Sequence, residues 1–548
     1  MCGIFGIISE DINKDKFQLS LELLEHRGPD AIGSVFFKNF ALGHTRLSIQ
    51  DLSEKGNQPM HDEISDAWIS YNGEIYNFKN LRSDLLSKGV KFKSSSDTEV
   101  ILKFYRLYGI EKTLQSIEGA FSFVIADKKL NKLYLVRDGF GMKPLFYSMI
   151  SNKEFIFSSE IKPILLYRDY KKINPKNMMI PLMMGLSAPG KTLFENINGV
   201  RRGELISIRM DNLKIEKKTY FSCRNLVDKK YYSFLNSLSQ KKLLDLYSKT
   251  LKDSVEQHLI SDVPISVLFS GGIDSTLVAR YALEFNKNID CFFFNAFSKN
   301  LLPLAEIIKN NKLVNLHILH EKEFDLFLEL PEMIYRHETI LNPSGASIMS
   351  VTNLAKSMGI KSVLTGDAAD ELFGGYDTHA NFYNRIFLQN NIFSKNLLRI
   401  IGSLYPGIQN FKANTFYDFF SDFIDNRESL ITLSEIYFNN NSRLTEWNKN
   451  YETYSFIENK VEKETQSYLL NYLDLNLQRY LVRTDRSGMA RSVEFRVPYL
   501  STEFVKLALN TPLKKKIRYK LFSKYPSSSK LSFFKAENYF EGISKVRR

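Results

Sequence analysis

The sequence offers a nucleophile at its second position. Cys2 follows Met1 directly, and a residue as small as cysteine at that place normally allows the methionine to be removed. The cysteine would then carry its own α-amino group, whose ordinary pKa of about 7.7–8.0 lies below the ~8.5 of a thiol. That amine can take the proton of the thiol, so one residue would supply both nucleophile and base. The alternative for a lone Met-Cys dipeptide is a small buried residue that begins a strand.

A second group of residues could bind phosphate. The segment SGGIDS at 270–275 comes directly after the apolar run ISVLF and opens the helical pattern STLVARYALEF. Consecutive backbone N–H groups in a glycine turn, at the positive end of a helix, suit pyrophosphate. The contact candidates are Ser270, Gly271, Gly272, Asp274 and Ser275. Glycine-rich turns are common, so this segment alone is a weak indication.

Carboxylates follow another predicted strand, which ends in LTGDAADELFGGY at 364–376. In a parallel sheet, two loops at the carboxyl ends of neighbouring strands face one crevice. Asp274 and Asp370 would then lie close enough to share Mg²⁺, which usually takes one or two carboxylates together with phosphate oxygens. The alternative is that both aspartates only cap helices.

The overall composition is that of a globular protein. The 548 residues include 74 Lys and Arg against 61 Asp and Glu, a formal net charge of +13, with 44% hydrophobic and 25% charged residues. These proportions exclude disordered, collagen-like and coiled-coil classes. No apolar run approaches the ~20 residues that span a bilayer, and the N-terminus lacks the features of a secretory signal. We therefore expect a cytoplasmic protein without a membrane span.

The cysteines and the basic tail add two further limits. Cys2, Cys223 and Cys291 form no CxxC pair and are too few for a disulfide scaffold, which disfavours structural zinc and indicates a reducing compartment. Residues 514–548 carry eleven Lys or Arg against two Glu. Such a strip is more often solvated than bound to nucleic acid, so we expect no nucleic-acid partner. Small anionic ligands such as ATP account for part of the charge.

The chain divides into two parts of different pattern. Up to about residue 220, short apolar runs of strand length recur between turn signals, which predicts a sheet-rich first half. From about residue 240, helical patterns alternate with single buried strands, which predicts a parallel, doubly wound sheet. We place a first domain at 1–220, a linker at 221–240 and a second domain at 241–548, and we expect one buried helix over 466–482.

Five motifs occur in order in the first half: MCGIFG (1–6), HRGPD (26–30), GHTRLSI (43–49), NGEIYN (72–77) and SDTE (96–99). Together they resemble the N-terminal-nucleophile glutaminase domain of the class II amidotransferases. The resemblance implies an αββα sandwich in which Cys2 attacks glutamine. It also implies that Arg46 holds the α-carboxylate of glutamine through paired hydrogen bonds and that Asp97 binds its α-ammonium. The residues that complete that end of the pocket would be Glu74 and the backbone of Ile49.

The same resemblance assigns an oxyanion hole to the Asn72 side chain and the Gly73 N–H. Such a hole is typically worth about 2.7–4 kcal/mol per donor, and a glycine allows close backbone approach. Each residue also has a plainer interpretation. Arg46 could form a surface ion pair, Asp97 could cap a helix, and Asn72-Gly73 could be the turn of a hairpin.

The second half resembles the PP-loop ATP pyrophosphatases, which cleave ATP to AMP and pyrophosphate. With TGDAADELFGGY and the later DRSGMARSVEFRVPYL (485–500), the order of motifs resembles the glutamine-hydrolysing asparagine synthetases along nearly the whole chain. This implies a doubly wound PP-loop domain after the sandwich. It implies a carbon–nitrogen ligase in which ATP adenylates a carboxylate, and ammonia crosses from the first site to form the amide. Leu268 and Gly366 would join the ATP contacts, and Glu371 would position the substrate.

Three departures from that family bear on the acceptor. In the well-studied asparagine synthetases the loop reads SGEGSDE and its first Glu is catalytic, whereas this position holds Asp367, one methylene shorter. The segment 337–350, which in those enzymes carries an arginine for the α-carboxylate of aspartate, contains none here. The family's C-terminal lysine has no clean counterpart, and Lys520 is the best candidate among the ATP contacts.

Aspartate is the leading acceptor. The sequence also allows the same chemistry on another carboxylate, such as a uronic acid of a cell-surface polysaccharide, because the chain resembles a branch that includes such enzymes. A tRNA-modifying ATP pyrophosphatase would use SGGIDS and the basic tail, but it would have no use for Cys2, Asn72 and Asp97. The expected partners are glutamine, ATP with Mg²⁺ and a carboxylate substrate, and a homodimer stays open.

Overall fold

In the computed structural model, the first half of the chain forms two antiparallel sheets of six strands each. The structure describes residues 2–151, 153–168, 171–175, 177–178, 190–295, 314–320, 324–339, 344–390 and 442–517. In chain order the strands are β1 (Gly3–Ile8), β2 (Ala31–Phe36), β3 (Phe40–Arg46), β4 (Met60–Asp62), β5 (Ala67–Ile75), β6 (Gly119–Asp127), β7 (Lys132–Arg137), β8 (Phe146–Ser151), β9 (Glu154–Ser158), β10 (Ile197–Gly199), β11 (Glu204–Arg209) and β12 (Ile215–Thr219). The sheets have the orders β10-β8-β9-β1-β3-β2 and β12-β11-β7-β6-β5-β4.

Helices cover the outer face of each sheet. They are α1 (Lys14–Glu22), α2 (Phe78–Ser87), α3 (Asp97–Ser116) and α4 (Ile161–Arg168). Successive side chains of a strand point to opposite faces, which explains the layers. Along β1, Ile4 and Ile8 pack between the sheets, whereas Phe5 and Ile7 pack towards α1 and α4. This arrangement confirms the predicted αββα sandwich.

The second half is built on five parallel strands. They are β13 (Ile265–Leu268), β14 (Asp290–Asn295), β15 (Asn315–His320), β16 (Ser362–Leu364) and β17 (Glu494–Arg496), in the order β15-β14-β13-β16-β17. The helices of this half are α5 (Lys229–Ser237), α6 (Gln240–His258), α7 (Ile273–Phe285), α8 (Leu326–His337), α9 (Ser344–Ser357), α10 (Ala369–Phe373), α11 (Asp377–Asn390), α12 (Ser442–Thr453), α13 (Lys460–Leu475), α14 (Leu477–Met489), α15 (Thr502–Asn510) and α16 (Leu513–Lys516). Val267 packs in the core of one sheet face, and Phe292 and Val363 pack in that of the other. The predicted doubly wound sheet is confirmed.

One local expectation is wrong, and another stays untested. The single helix expected over 466–482 is wrong, because two helices, α13 and α14, meet at Asn476 within it. The segment 221–240 contains a 3-10 turn and helix α5, and Phe221 packs edge-on against Phe140. The division into domains at that segment stays a prediction. None of the helices in the described part of the chain has the length and apolar composition needed to cross a membrane.

A buried arginine from the HRGPD motif joins the two halves. Arg27 is fully buried, and its Nε donates to the carbonyl oxygen of Cys2 at 3.1 Å. Its Nη1 donates to Glu160 at 3.1 Å and to Asp485, on α14, at 3.2 Å. Removing one partner of a buried ion pair leaves the other charge uncompensated. The position of Cys2 therefore depends on the docking of the second half.

Replacing Arg27 by Ala should destabilise the protein by about 3–5 kcal/mol, because the Asp485 carboxylate loses the guanidinium that binds it in a dry interface. Urea unfolding followed by circular dichroism measures the effect. The matched control is Lys93→Ala, which breaks the surface pair with Glu63, whose side chains are 73% and 72% exposed. That control should leave the midpoint unchanged, and equal midpoints for the two variants would contradict the assigned role of Arg27.

Candidate functional site

Cys2 lies directly before β1, in the middle of the first sheet, and is 8% exposed. Its backbone nitrogen donates to Oδ1 of Asn72 at 2.9 Å, which is where the amine of a processed chain would be held. Burial raises the pKa of the Cys2 thiol, while the Leu47 N–H and the Arg46 guanidinium oppose that shift. A thiol in this environment needs a base to become a nucleophile.

Asn72 and Gly73 lie within β5 and pair with Ser122 and Phe121 of β6. The hairpin-turn interpretation of these two residues is therefore wrong. Because Oδ1 of Asn72 accepts the Cys2 N–H, its Nδ2 is left as a buried donor without a hydrogen-bond partner among the described residues. Gly73 has φ +151°, and a Cβ there would lie 2.1 Å from the Ala120 carbonyl oxygen. Only glycine fits this close approach.

Asp97 lies at the first position of α3, and its side chain points towards β5. Its Oδ2 accepts hydrogen bonds from the Tyr71 hydroxyl at 2.7 Å and the Ile75 N–H at 3.0 Å. The helix is capped instead by Ser96, whose side chain accepts from the Thr98 N–H, so the capping interpretation of Asp97 is wrong. Burial raises the pKa of Asp97 to about 6, against those hydrogen bonds. A ligand ammonium would favour the ionised form.

Arg46 is held by the loop that follows it. Its Nη1 donates to the Ser53 carbonyl at 2.7 Å and to Oδ1 of Asn57 at 2.8 Å. Its Nη2 donates to the carbonyls of Gln50, at 3.3 Å, and Asp51. A guanidinium has four Nη hydrogens, and these contacts use all of them. A carboxylate that binds Arg46 in a bidentate manner must therefore displace part of the segment 50–57.

The backbone of Ile49 and the side chain of Glu74 also have partners in this structure. The Ile49 carbonyl accepts the Asp262 N–H at 3.0 Å, and Oε2 of Glu74 accepts from the Gln50 amide. The other carboxylate oxygen of Glu74 contacts Arg496 at 3.0 Å. The first-half candidates thus surround one buried region. Two of them, Ile49 and Glu74, bind residues of the second half.

Two charged residues of β17 complete this region, and sequence reasoning missed both. Arg496 contacts Glu494 at 3.0 Å, and Glu494 lies 4.0 Å from Lys143. Burial acts to lower the pKa of Arg496, but Glu74 and Glu494 outweigh it and the net shift is upward. The period of two in a strand could have shown that residues 494 and 496 share a face. It could not have shown that this face meets the first half.

The SGGIDS segment forms the predicted loop between β13 and α7. Gly271 has φ +72°, and the Ser270 N–H donates to Oγ of Ser275 at 3.1 Å. Oγ of Ser275 also donates to the Gly272 carbonyl at 3.2 Å, which closes the turn. Leu268 is the last residue of β13, directly below the loop. The segment is a glycine turn at a helix N-terminus, the geometry that binds phosphate groups.

The SGGIDS loop, which carries Asp274, and the loop after β16, which leads to Asp370, lie side by side. β13 and β16 are adjacent and parallel, and a Cβ at Gly366 would lie 2.8 Å from the Ser275 nitrogen and 3.1 Å from Cβ of Asp274. Asp274 and Asp370 lie in the first turns of α7 and α10, which begin after Gly272 and Ala368, so neither aspartate is the cap. Within the described residues, no group of three or more His, Cys, Asp or Glu side chains could hold a metal by itself. Two carboxylates that act together with phosphate oxygens fit Mg²⁺.

The loop after β16 carries further carboxylates. Oδ2 of Asp367 accepts from the hydroxyls of Thr365 and Thr484, each at 3.1 Å, and Oδ1 lies 3.8 Å from Nη2 of Arg483. Glu371 is buried and accepts from the Tyr376 hydroxyl at 2.9 Å. Burial raises the pKa of Glu371 to about 7, and Asp370 and Asp367 act in the same direction.

Arg483 is a third residue that sequence reasoning missed. Its Nη1 donates to Oγ of Ser344 at 3.1 Å, and its Nε is buried without a hydrogen-bond partner among the described residues. Ser344 belongs to the arginine-free segment 337–350. The segment 337–350 has no arginine of its own, but Arg483 of α14 contacts it at Ser344. Lys520 lies outside the described residues.

Comparisons with known proteins agree with this geometry. Residues 1–221 match the glutamine amidotransferase domain family, and residues 246–526 match the asparagine synthase family. A Methanocaldococcus jannaschii protein that carries an asparagine synthetase (glutamine-hydrolysing) name is 32% identical over 437 residues, which cover 74% of this chain and 81% of that protein.

Two further relatives carry names that differ from each other. Asparagine synthetase (glutamine-hydrolysing) 1 of Bacillus subtilis is 28% identical over 536 residues, which cover 93% of this chain and 81% of that protein. Amidase chyE of Penicillium rubens is 29% identical over 384 residues, which cover 66% of this chain and 55% of that protein. With its amidotransferase domain followed by a synthase domain, the chain belongs to the asparagine synthase family of glutamine-hydrolysing, ATP-dependent ligases.

Proposed function

We propose that this enzyme converts the carboxylate of aspartate into a carboxamide, using glutamine as nitrogen donor and cleaving ATP to AMP and pyrophosphate. The observation that carries the proposal is the presence of two candidate sites in one chain. One site has a buried cysteine beside an unpaired amide donor, and the other has a glycine turn that carries Asp274 beside the loop that carries Asp370. We also propose that it works in the cytoplasm, where its three buried, unbridged cysteines would stay reduced.

At the first site, Cys2 acts as nucleophile and its freed α-amino group takes the thiol proton. The Asn72 side chain holds that amine through Oδ1 and presents Nδ2 to the oxygen of the tetrahedral intermediate, together with the Gly73 N–H. Asp97 and Glu74 bind the α-ammonium of glutamine, and Arg46 its α-carboxylate. The thioester then hydrolyses to glutamate, and the ammonia moves through the interior to the second site.

At the second site, the turn from Ser270 to Ser275 binds the pyrophosphate part of ATP through backbone N–H groups. Asp274 and Asp370 would hold Mg²⁺, which supplies charge neutralisation on the phosphate oxygens. Asp367, fixed by two hydroxyl groups, acts as the carboxylate that assists attack of ammonia on the acyl-AMP. Lys520 stays the candidate for stabilising the charge of the adenylated carboxylate.

A second acceptor class is favoured by two features of the second site. Asp367 is one methylene shorter than the glutamate of the well-studied asparagine synthetases, and its partner Arg483 comes from α14 instead of the segment 337–350. An acceptor pocket built from different elements suits a different carboxylate. A sugar uronic acid is therefore the alternative substrate for the same chemistry.

Replacing Cys2 by Ala should abolish glutamine-dependent product, because no thioester can form, while turnover with free ammonium continues. Amide formation with each nitrogen source measures the split. Cys291→Ala is the matched control, because Cys291 is also a buried, unbridged cysteine but lies within β14 of the second half, and it should retain both activities. Loss of both activities in Cys2→Ala would contradict the two-site assignment.

Replacing Asp274 by Asn should stop pyrophosphate release with either nitrogen source, because the loop loses a carboxylate that would hold the metal. Pyrophosphate release from ATP is the measurement. Asp290→Asn removes a carboxylate from the opposite end of the neighbouring strand, where Asp290 binds His317, and it should retain activity. Unchanged pyrophosphate release by Asp274→Asn would refute the assigned role.

The acceptor is identified by pyrophosphate release across a panel of carboxylates that begins with aspartate and the common uronic acids. Aspartate should give the highest kcat/KM if the leading proposal is right. A uronic acid that exceeds it would move the assignment to the alternative class. Release that depends on none of the carboxylates would contradict the proposed amide-forming reaction.

A further inference from the structure

A cavity of about 540 Å³ opens between the two halves, beside the candidate glutamine site. Its volume is within the range of about 300–1,000 Å³ that is usual for small-molecule pockets. The first half contributes Gln50, Lys79 and Arg82, and the second half contributes Glu256 and Asp262. Lys79 and Glu256 are exposed and mark the outer end, whereas Gln50 is only half-exposed and lies at the inner end.

The cavity shares its inner wall with the site around Cys2. The Gln50 amide donates to Glu74, and the Gln50 carbonyl accepts from Arg46 at 3.3 Å. Its Oε1 is buried without a hydrogen-bond partner among the described residues. Ser95, which also lines the cavity, donates its N–H to Asp51 at 2.7 Å. Gln50 therefore separates the cavity from Glu74, the side chain to which glutamine binding is assigned.

The charges around the cavity suit a zwitterion. Lys79 and Arg82 supply positive charge from α2, and Glu256 and Asp262 supply negative charge from the facing segment. Nη1 of Arg82 is buried without a hydrogen-bond partner among the described residues, and its guanidinium carbon lies 4.0 Å from the ring centroid of Phe92. An α-carboxylate in the cavity can pair with the Arg82 guanidinium while an α-ammonium faces the carboxylates. A phosphate ester would instead be repelled by the two acidic side chains.

We propose that this cavity is an outer binding site for a free α-amino acid, through which glutamine enters and glutamate leaves. The inference rests on the proposed glutamine-dependent function and adds a route to it. Glutamine held between Arg82 and Glu256 reaches Glu74 when the Gln50 amide moves aside. The hydrogen bonds that Gln50 now makes with Glu74 and with Arg46 are then exchanged for contacts with the substrate.

Two tryptophan substitutions on α6 test this route. Glu256→Trp fills the outer end of the cavity, and Gln257→Trp, at the next exposed position, lies outside the cavity lining and is the matched control. Glu256→Trp should lower kcat/KM for glutamine about tenfold or more, without a matching fall in ammonium-dependent turnover. Gln257→Trp should behave as the parent protein does.

A second readout separates a blocked route from a distorted site. The Cys2 thiol of each variant is alkylated with a glutamine-shaped diazoketone amino acid and with the smaller iodoacetamide. Glu256→Trp should slow the amino-acid reagent and not iodoacetamide. Unchanged kcat/KM for glutamine, or equal slowing of both reagents, would overturn the inference. A parent protein that hydrolyses no glutamine would overturn the proposed function itself, so the two failures are distinguishable.

Discussion

The structure depends on buried charges that are neutralised across the boundary between its two halves. Arg496 of β17 sits against Glu74 of β5, and Arg27 sits against Asp485 of α14. All four groups are nearly or fully excluded from solvent, and an unpaired charge in such a place is strongly destabilising. The boundary between the halves is thus closed by paired buried charges, and the docking places second-half residues in the wall of the first site.

Arg496 also connects the two sites at short range. Its side chain binds Glu74, while its backbone carbonyl accepts the Thr365 N–H at 2.9 Å. The Thr365 hydroxyl in turn donates to Asp367, the carboxylate assigned to amide formation. Only Arg496 and Thr365 therefore lie between Glu74 and Asp367 in a chain of ion-pair and hydrogen-bond contacts. The burial that builds this connection is also why the Cys2 thiol needs a base of its own.

Local patterns and motifs in the sequence predicted part of the structure. The glycine turn after β13 was predicted from the pattern of strand, loop and helix, and the placement of Asn72-Gly73 next to Cys2 was implied by the resemblance of the first-half motifs to the class II amidotransferases. Long-range contacts could not be predicted, because the alternation of Glu494 and Arg496 shows only that they share a face. The same holds for Arg483, which reaches Ser344 from a helix far away in sequence.

The four Nη contacts of Arg46 depend on the conformation of a loop, which residue types alone do not determine. The break at Asn476 divides a region whose leucine spacing predicts one continuous helix.

The central claim is that nitrogen released at Cys2 reaches the acyl-AMP inside the protein. The most direct test supplies glutamine labelled with ¹⁵N at its amide, together with an excess of unlabelled ammonium, and measures the label in the carboxamide product by mass spectrometry. The account predicts a product richer in ¹⁵N than the ammonium pool at every time point. A product whose label equals that of the pool would contradict it, because the two sites would then exchange nitrogen only through the solvent.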